Sequence, residues 1–411
     1  MPALTLDIPS EVQRIAARLI EAGFDTWCVG GAVRDNLLGH TNSDVDLATA
    51  ATPDDVMRLF KHTVPIGVEH GTVAVLDTHR QPHEVTTFRR DVRTDGRHAE
   101  VAFGVSLEED LARRDFTINA IAYHPVSREW RDPFDGQGDL ERRLIRAVGA
   151  PERRFREDYL RILRALRFAA RFDFAIDAAT WDAMLACVDG LEHLSAERVR
   201  DEWLKGLATA RSPSALVTLW RDVGALDHWM PEVRGARSAE RGTGDPEGEG
   251  ESGKREAWGA VDRLPRDPVL ITAYLSDDPV ATLTRLKCSR AEIERGRGIA
   301  RFRDPLPAAD DAVAVRRWMS EAGQAVGDIV AMVRAEGRGA ALRDAVGAVG
   351  ASCAPLAIAD LAVSGADLME AGVPEGPAVG ETLRKLLDAA LVDPAKNTRD
   401  ELLGMVKGGE A

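Results

Sequence analysis

Near residue 150 the hydrophobic pattern of this 411-residue chain changes period, and that change limits the possible folds more than any other feature. Before it, short β-branched and aromatic runs alternate with short helical patterns. SEVQRIAARLIEAG reads as a first helix, opened by Ser10 and stopped by Gly23. TWCVGG reads as a strand, AVRDNLLG as a helix and SDVDLAT as a strand. TPDDVMRLFK follows as a helix capped by Thr52 with Pro53 in its first position, and GTVAVLD and HEVTTFR as two more strands. From about Glu152 onward strand signals nearly vanish. PERRFREDYLRILRALRFAARF, AERVRDEWLKGLA, PSALVTLWRDVGAL, AVAVRRWMSEAG and ETLRKLLDAAL all space their apolar residues as amphipathic helices do. The expectation is an α+β head over residues 1–150, a small mixed sheet with helices, followed by helical bundles. Residues 234–256 are rich in Gly, Ser, Glu and Arg and read as a linker between helical parts at 151–233 and 257–411.

A chain of this length exceeds one hydrophobic core, and 45% apolar residues suffice to bury several domains. It carries no apolar run of roughly 18 residues and no basic-then-apolar leader, so a soluble, cytoplasmic protein with no membrane partner is expected. Cys28, Cys187, Cys288 and Cys353 form no CxxC pair, which leaves them as buried small apolar residues. The net charge of −14 excludes a generally basic, nucleic-acid-coating protein. Charge is unevenly spread, however. Between Arg80 and Arg171 there are 19 Arg against 16 Asp and Glu and no Lys, and the planar guanidinium fork matches phosphates and base edges.

Asp44 and Asp46 would share one face of a strand, with Val45 behind them. Two carboxylates held that close repel unless a cation lies between them, as in Mg²⁺ sites completed by substrate phosphates; a polar turn is the plain alternative. Upstream, Gly30 and Gly31 end a strand just before a helix, where bare amides can receive a phosphate, and Arg34 lies one turn in. Downstream, Glu84 could add a third carboxylate or be an exposed strand residue. DLARRDFTINAIAY packs Arg113, Arg114, Asp115, Thr117 and Asn119 before an apolar helix, either to hold triphosphate and ribose or as a solvated cap. The strongest physical signal is the helix over 153–171. Tyr159, Ile162, Leu163, Leu166, Ala169 and Ala170 share one flank, and Arg154, Glu157, Asp158, Arg161, Arg164, Arg167 and Arg171 spread over the other half. Two acids against five arginines leave most arginines unpaired on that helix, which suits a triphosphate better than a face laced with ion pairs.

Five segments, GGAVRDNLLG…SDVDL, EEDLARRDFTINA, DPFDGQGDLERRLIRAVG, EDYLRILRALRFAARF and SAERVRDEWLKGL, resemble in order the motifs of the class II tRNA nucleotidyltransferases, the CCA-adding enzymes and their bacterial poly(A) polymerase relatives. The resemblance spans roughly residues 8–210. It implies a polymerase-β-like nucleotidyltransferase head followed by an all-helical neck, body and tail, acting on tRNA with CTP and ATP and with Mg²⁺, two ions, as cofactor. It makes Asp44 and Asp46 the metal ligands and Glu84 the third catalytic carboxylate. Gly30, Gly31, Arg34, Arg113, Arg114, Asp115 and Asn119 would bind phosphates and ribose. Glu157, Asp158 and Arg161 match the EDxxR template, Asp158 and Arg161 pairing with the base, and Arg164 and Arg167 continue the nucleotide face. Asp132 to Gly138 resembles the element that joins head to neck. The region Thr86–Phe103, which CC-only members lack as a loop, reads intact and favours CCA or terminal-A addition. An A-adding enzyme, a poly(A) polymerase and a non-catalytic RNA or nucleotide binder are the alternatives, and no protein partner is evident. The phosphohydrolase metal signature of some relatives is missing, so His193 reads as a cap or packing residue.

Overall fold

The computed structural model describes residues 6–40, 45–94, 99–233 and 258–408. The chain forms two compact units, one up to Pro231 and one from Glu232.

In the first unit, α1 (Ser10–Glu21) leads into β1 (Thr26–Val29), α2 (Gly31–Leu37) and β2 (Asp46–Thr49). Then come α3 (Pro53–Leu59), β3 (Thr63–Gly67), β4 (Thr72–Leu76) and β5 (Pro82–Thr87). A hairpin of β6 (Arg89–Thr94) and β7 (Ala99–Phe103) precedes α4 (Leu107–Ala112), β8 (Ala122–Tyr123), β9 (Trp130–Arg131) and α5 (Gly136–Arg142). Among the described residues one sheet has the order β3-β4-β5-β2-β1-β8-β9, antiparallel except for the β2/β5 pair. Local chemistry fixes the helix starts. Thr52 and Asp55 form a reciprocal capping box at α3 with Pro53 in its first turn, and Ser106 and Glu109 do the same at α4. Trp27 and Val29 of β1 pack with Ala48, Phe88, Leu107, Leu111, Ala120 and Ala122 in one core cluster.

The helical remainder of this unit contains α6 (Pro151–Glu157), α7 (Leu160–Phe172), α8 (Ala178–Cys187), α9 (Ala196–Thr209), α10 (Pro213–Asp222) and α11 (Ala225–Trp229). The α7 and α9 helices run side by side in the same direction. Asp158 meets Arg198, Arg167 meets Glu202, and Arg211 N–H donates to the Ala170 carbonyl. Trp203 and Trp220, both fully buried, pack edge to face at 4.8 Å.

Several expectations need correction. The helix foreseen over 153–171 is two helices, broken at Asp158, whose backbone is extended (φ −156°, ψ 105°). The Asp158 carboxylate accepts the Leu160 N–H at 3.1 Å, a local bond that competes with helix continuation. No apolar helix follows Asp115. A single 3₁₀ turn, Thr117–Asn119, gives way to β8, because the apolar residues there fill the sheet core. The second strand begins at Asp46, and Asp44 lies outside the described residues, as does the 234–256 segment. β3 carries no sequence signal noted above. Cys28, Cys187 and Cys288 are buried but Cys353 is exposed, at the end of a helix rather than within its packed face.

The second unit is helical, with Pro268–Leu275, Pro279–Arg285, Arg290–Phe302, Ala312–Ala322, Ala325–Ala335, Ala340–Ala351 and Pro377–Val392 among its elements. Arginines close its helix ends: Arg303 donates to the Ser276 carbonyl at 3.2 Å and Arg316 to the Leu391 carbonyl at 2.6 Å. Leu361, Leu368, Leu386, Ala390 and Leu402 form one of its cores. Among the described residues no helix is long and apolar enough to cross a membrane.

Gly136 opens α5 directly against the Thr117 carbonyl, and a Cβ there would collide with that oxygen. Replacement of a helical Gly by Ala ordinarily stabilises. Gly136→Ala is expected to do the opposite, lowering the urea-unfolding free energy by about 1–3 kcal/mol.

Candidate active site

One cavity of about 520 Å³ in the first unit gathers most of the residues singled out by sequence. Its floor begins where β1 ends. Gly30 adopts φ 77°, a left-handed turn that L side chains rarely take, and a Cβ there would stand 3.4 Å from Arg114 Nη1 and 3.6 Å from Asp46 Oδ2. The turn therefore brings the Gly30–Gly31 backbone, a carboxylate and a guanidinium together. β2 and β5 run parallel with Leu47 opposite Val85, so Asp46 and Glu84, each one residue earlier, occupy neighbouring positions on the same face. Both line the cavity. Thr72 and Thr86, hydroxyl to hydroxyl at 3.1 Å, continue that face.

The opposite wall is α7 with the segment 113–119. Arg34 is buried against the rings of Phe168 and Phe172, 5.0 and 4.9 Å from their centroids. It donates to Asp35 at 2.8 Å and to Asn119 Oδ1 at 2.5 Å. Burial pushes its guanidinium pKa down and Asp35 opposes the fall. Asp115 accepts from the Phe116 N–H, Asn119 Nδ2 and Arg164 Nε at 2.8, 2.9 and 2.8 Å. Burial alone would raise the Asp115 carboxyl; Arg164 and these hydrogen bonds outweigh it and hold the group at about 2. Asp110, also buried, is held below the ordinary carboxylate range by Arg114 and Arg113 against the same desolvation. Arg167 bonds Glu202 at 2.5 Å, and Arg171 bonds Asp35 at 3.1 Å.

These pairings correct the expectation of a surplus of unpaired arginines on the 153–171 helix. Asp35, Asp115 and Glu202 come from α2, the loop before the 3₁₀ turn and α9, partners that spacing within one helix cannot reveal. Pairing does not cancel the cavity's sign, since nine cationic side chains line it against the carboxylates of Asp46, Glu84 and Asp115. Arg114 Nε is buried with no hydrogen-bond partner among the described residues.

The cavity lining includes Gly30, Gly31, Arg34, Asp46, Glu84, Arg113, Arg114, Asp115, Asn119, Arg161, Arg164 and Arg167. Glu157 and Asp158 are not among the lining residues; they sit at the α6–α7 break. There Glu157 accepts from Arg161 at 3.0 Å, and Asp158 from Arg198 at 2.7 Å. Asp158 and Arg161 thus have separate partners. A Cβ at Gly190 would run into the Tyr159 ring, so that glycine sets how closely the break approaches the 188–193 turn. His193 lies on the same turn, exposed, with its ring 6.0 Å from Tyr159. In the Asp132–Gly138 element the Asp132 carboxylate accepts the Gly136 and Gln137 N–H groups. Sequence reasoning missed Asp35, Asp110, Phe168, Phe172, Arg198, Glu202 and Lys205. The four-residue spacing of Phe168 and Phe172 was visible, though it reads as ordinary helix packing.

Asp46 and Glu84 offer hard oxygen donors side by side, a set that fits a divalent cation keeping water and substrate oxygens as its remaining ligands. Among the described residues no three His, Cys, Asp or Glu side chains form a cage.

A mixed sheet that presents adjacent carboxylates to a cationic cavity, followed by a helical region, defines a nucleotidyltransferase head on a helical neck. Residues 26–146 match the poly A polymerase head domain, and residues 173–236 match the probable RNA and SrmB-binding site of polymerase A. The CCA-adding enzyme of Leuconostoc mesenteroides is 47% identical over 214 residues, spanning 52% of this chain and 53% of that protein. That of Listeria monocytogenes is 34% identical over 406 residues, 94% of this chain and 95% of the relative. The crystal structure of the Bacillus stearothermophilus CCA-adding enzyme in complex with CTP superposes with a TM-score of 0.76 at 30% identity, covering 97% of both chains. The chain belongs to the class II tRNA nucleotidyltransferase and bacterial poly(A) polymerase family. Nucleotidyl transfer in this family is metal-dependent.

Two outcomes follow from the buried charges. Because the folded pKa of Asp115 lies below its unfolded value of 3.8, its contribution is complete above that value and lost as the pH falls towards about 2. Asp115→Asn is expected to be less stable than wild type at pH 7 by about 2 kcal/mol, with the gap closing between pH 4 and pH 2 in urea titrations. Arg167→Met strands the Glu202 carboxylate and is expected to cost about 3 kcal/mol. Adding Glu202→Gln should return part of that loss.

Proposed function

We propose that this protein completes the 3′ end of tRNA, adding C, C and then A from CTP and ATP, and that the cavity seats each incoming nucleotide. The observation that carries this reading is the meeting of the Asp46–Glu84 strand pair with the arginine wall of α7 in one cavity. The 3′-hydroxyl oxygen of the tRNA bonds to the α-phosphorus as the bond to the bridging oxygen of the β-phosphate breaks, and pyrophosphate leaves. Asp44, Asp46 and Glu84 would hold two Mg²⁺ ions, which supply activation of the hydroxyl and neutralisation of the leaving group. The Gly30–Gly31 amides, Arg34 and Arg114 bind phosphate oxygens, and Asp115 and Asn119 orient the ribose. Fixed by Asp110, Asp115 and Glu202, the surrounding arginines need little reorganisation when the charge shifts.

At the other end of α7, Asp158 and Arg161 read the base. Cytosine and adenine each present an amino donor beside a ring-nitrogen acceptor, which a carboxylate and a guanidinium complement; guanine and uracil carry N–H at that ring position. Reading the base exchanges the Arg198 and Glu157 partners for base edges. The β6–β7 hairpin supports CCA or terminal-A addition over CC-only addition. On this reading residues 1–150 are the catalytic head, 151–233 the neck, 234–256 a linker and 257–411 the tRNA-binding body and tail. Contacts to tRNA run through its backbone and shape, and the cytoplasm is the working compartment.

Purified protein given tRNA that ends before CCA is expected to incorporate labelled CTP twice and then one A when ATP is present. Incorporation of A alone, or long A tracts, selects the A-adding or poly(A) alternative, and no incorporation selects a binding protein. Asp46→Asn should lower the rate at least about 10²-fold. Asp158→Ala is expected to blur discrimination against GTP and UTP more than it weakens CTP binding, with the reverse for Arg34→Ala.

A further inference from the structure

Each of the eight arginines lining the cavity already serves a carboxylate or a main-chain carbonyl. The ninth cation differs. Lys205 is exposed, and among the described residues its ammonium group has no hydrogen bond or ion pair. It lies one turn beyond Glu202 on α9, on the face that Glu202 turns towards Arg164 and Arg167. The two helices run in the same direction, from the Asp158–Arg198 pair to the Ala170–Arg211 bond, so Lys205 stands level with the last turn of α7. Arg171 is on that turn and reaches Asp35, the neighbour of Arg34. Base-reading Asp158 and Arg161 sit at the opposite end, about 15 Å away at 1.5 Å per residue.

We propose that Lys205 binds the terminal phosphates of the incoming nucleotide. The inference rests on the nucleotidyltransferase reading above. An ammonium on a flexible stem brings three donors and a charge that no protein acceptor consumes, whereas the arginine forks are fixed by their partners. That makes Lys205 suited to a group that arrives and departs each cycle. Its position at the cavity's far end means that it meets the β- and γ-phosphates, which become pyrophosphate, and not the nucleoside. It binds without choosing between C and A.

Calorimetric titration of the full chain with CTP, CDP and CMP in the presence of Mg²⁺ tests this. Lys205→Met, which keeps the apolar stem, is expected to weaken CTP about 5- to 10-fold and CMP less than about twofold, narrowing the CTP/CMP affinity ratio. Lys205→Arg should hold that ratio near wild type. The preference for CTP over GTP should be unchanged. Equal losses for CTP and CMP, or an unchanged ratio in Lys205→Met, overturn the proposal. So does a loss confined to binding of tRNA that ends before CCA, which would assign the ammonium to RNA phosphates. Incorporation by wild type, run in parallel, separates the two readings. If wild type incorporates nucleotides while the ratio survives Lys205→Met, the Lys205 assignment alone fails. If wild type incorporates none yet its ratio depends on Lys205, the catalytic reading alone fails.

Discussion

A guanidinium taken out of water without a partner costs several kcal/mol, and one wall of this cavity holds two that are almost wholly buried, Arg34 and Arg167. Carboxylates placed behind them meet that cost. Asp35 lies next to Arg34 in sequence and is shared with Arg171, while Glu202 reaches Arg167 from another helix. A guanidinium has five N–H donors and a carboxylate occupies only some of them. Arg164 gives Nε and Nη2 to Asp115 and keeps Nη1 3.8 Å from Glu202. Arg114 gives Nη2 to Asp110 and has Nε unpartnered. Buried acids therefore hold the arginines in place without occupying every donor. The aromatic rings do the same from another side. Phe168 and Phe172, stacked 6.0 Å apart, contact Arg34, Arg164, Arg167 and Arg171 through their faces, attraction that uses no donor at all.

The opposite wall depends on register rather than on pairing. The β2/β5 pair is the one parallel pair of the large sheet as described, and parallel register brings Asp46 beside Glu84 without a shared turn. A shift of one residue in either strand would send one carboxylate through to the other face. Leu47 and Val85, buried next to them, resist that slip because it would carry the apolar residue of the shifted strand out of the core. Packing in the core thus sets the spacing of the carboxylates at the surface.

How much of this was legible in the sequence differs by the range of the interaction. Capping at Thr52, the strands around Thr72–Leu76 and Pro82–Thr87, and the helices after residue 150 follow from neighbours within a few positions, and local physics suffices to read them. The arginine-rich segment showed its two faces for the same reason. Apart from Glu157, the acids that neutralise it lie 35 to 136 positions away in sequence, beyond the reach of any periodicity. Asp115 looked like a helix cap because a polar residue before an apolar run usually is one. In the fold its carboxylate is instead the buried centre joining Asn119, the Phe116 amide and Arg164. The break at Asp158 was hidden because an isolated helix through Glu157–Tyr159 would satisfy the same amphipathic pattern. The Leu160 N–H, the Arg198 partner and the close approach of Tyr159 to Gly190 together favour the extended residue.

That break has a consequence for how one site could take two bases. On the proposed reading, a continuous helix would make Asp158 move with Arg164 and Arg167, and any adjustment of it to the base would disturb the groups assigned to phosphate. With Asp158 outside both helices, its carboxylate turns on an extended residue and on an exchangeable bond to Arg198, a side chain about a third exposed. Arg164 and Arg167 remain tied to Asp115 and Glu202 on the rigid part of α7. The chain thereby separates an adaptable end from a fixed end within one helical segment. On the proposed reading, that division lets one site take a pyrimidine or a purine while keeping the α-phosphorus in one place.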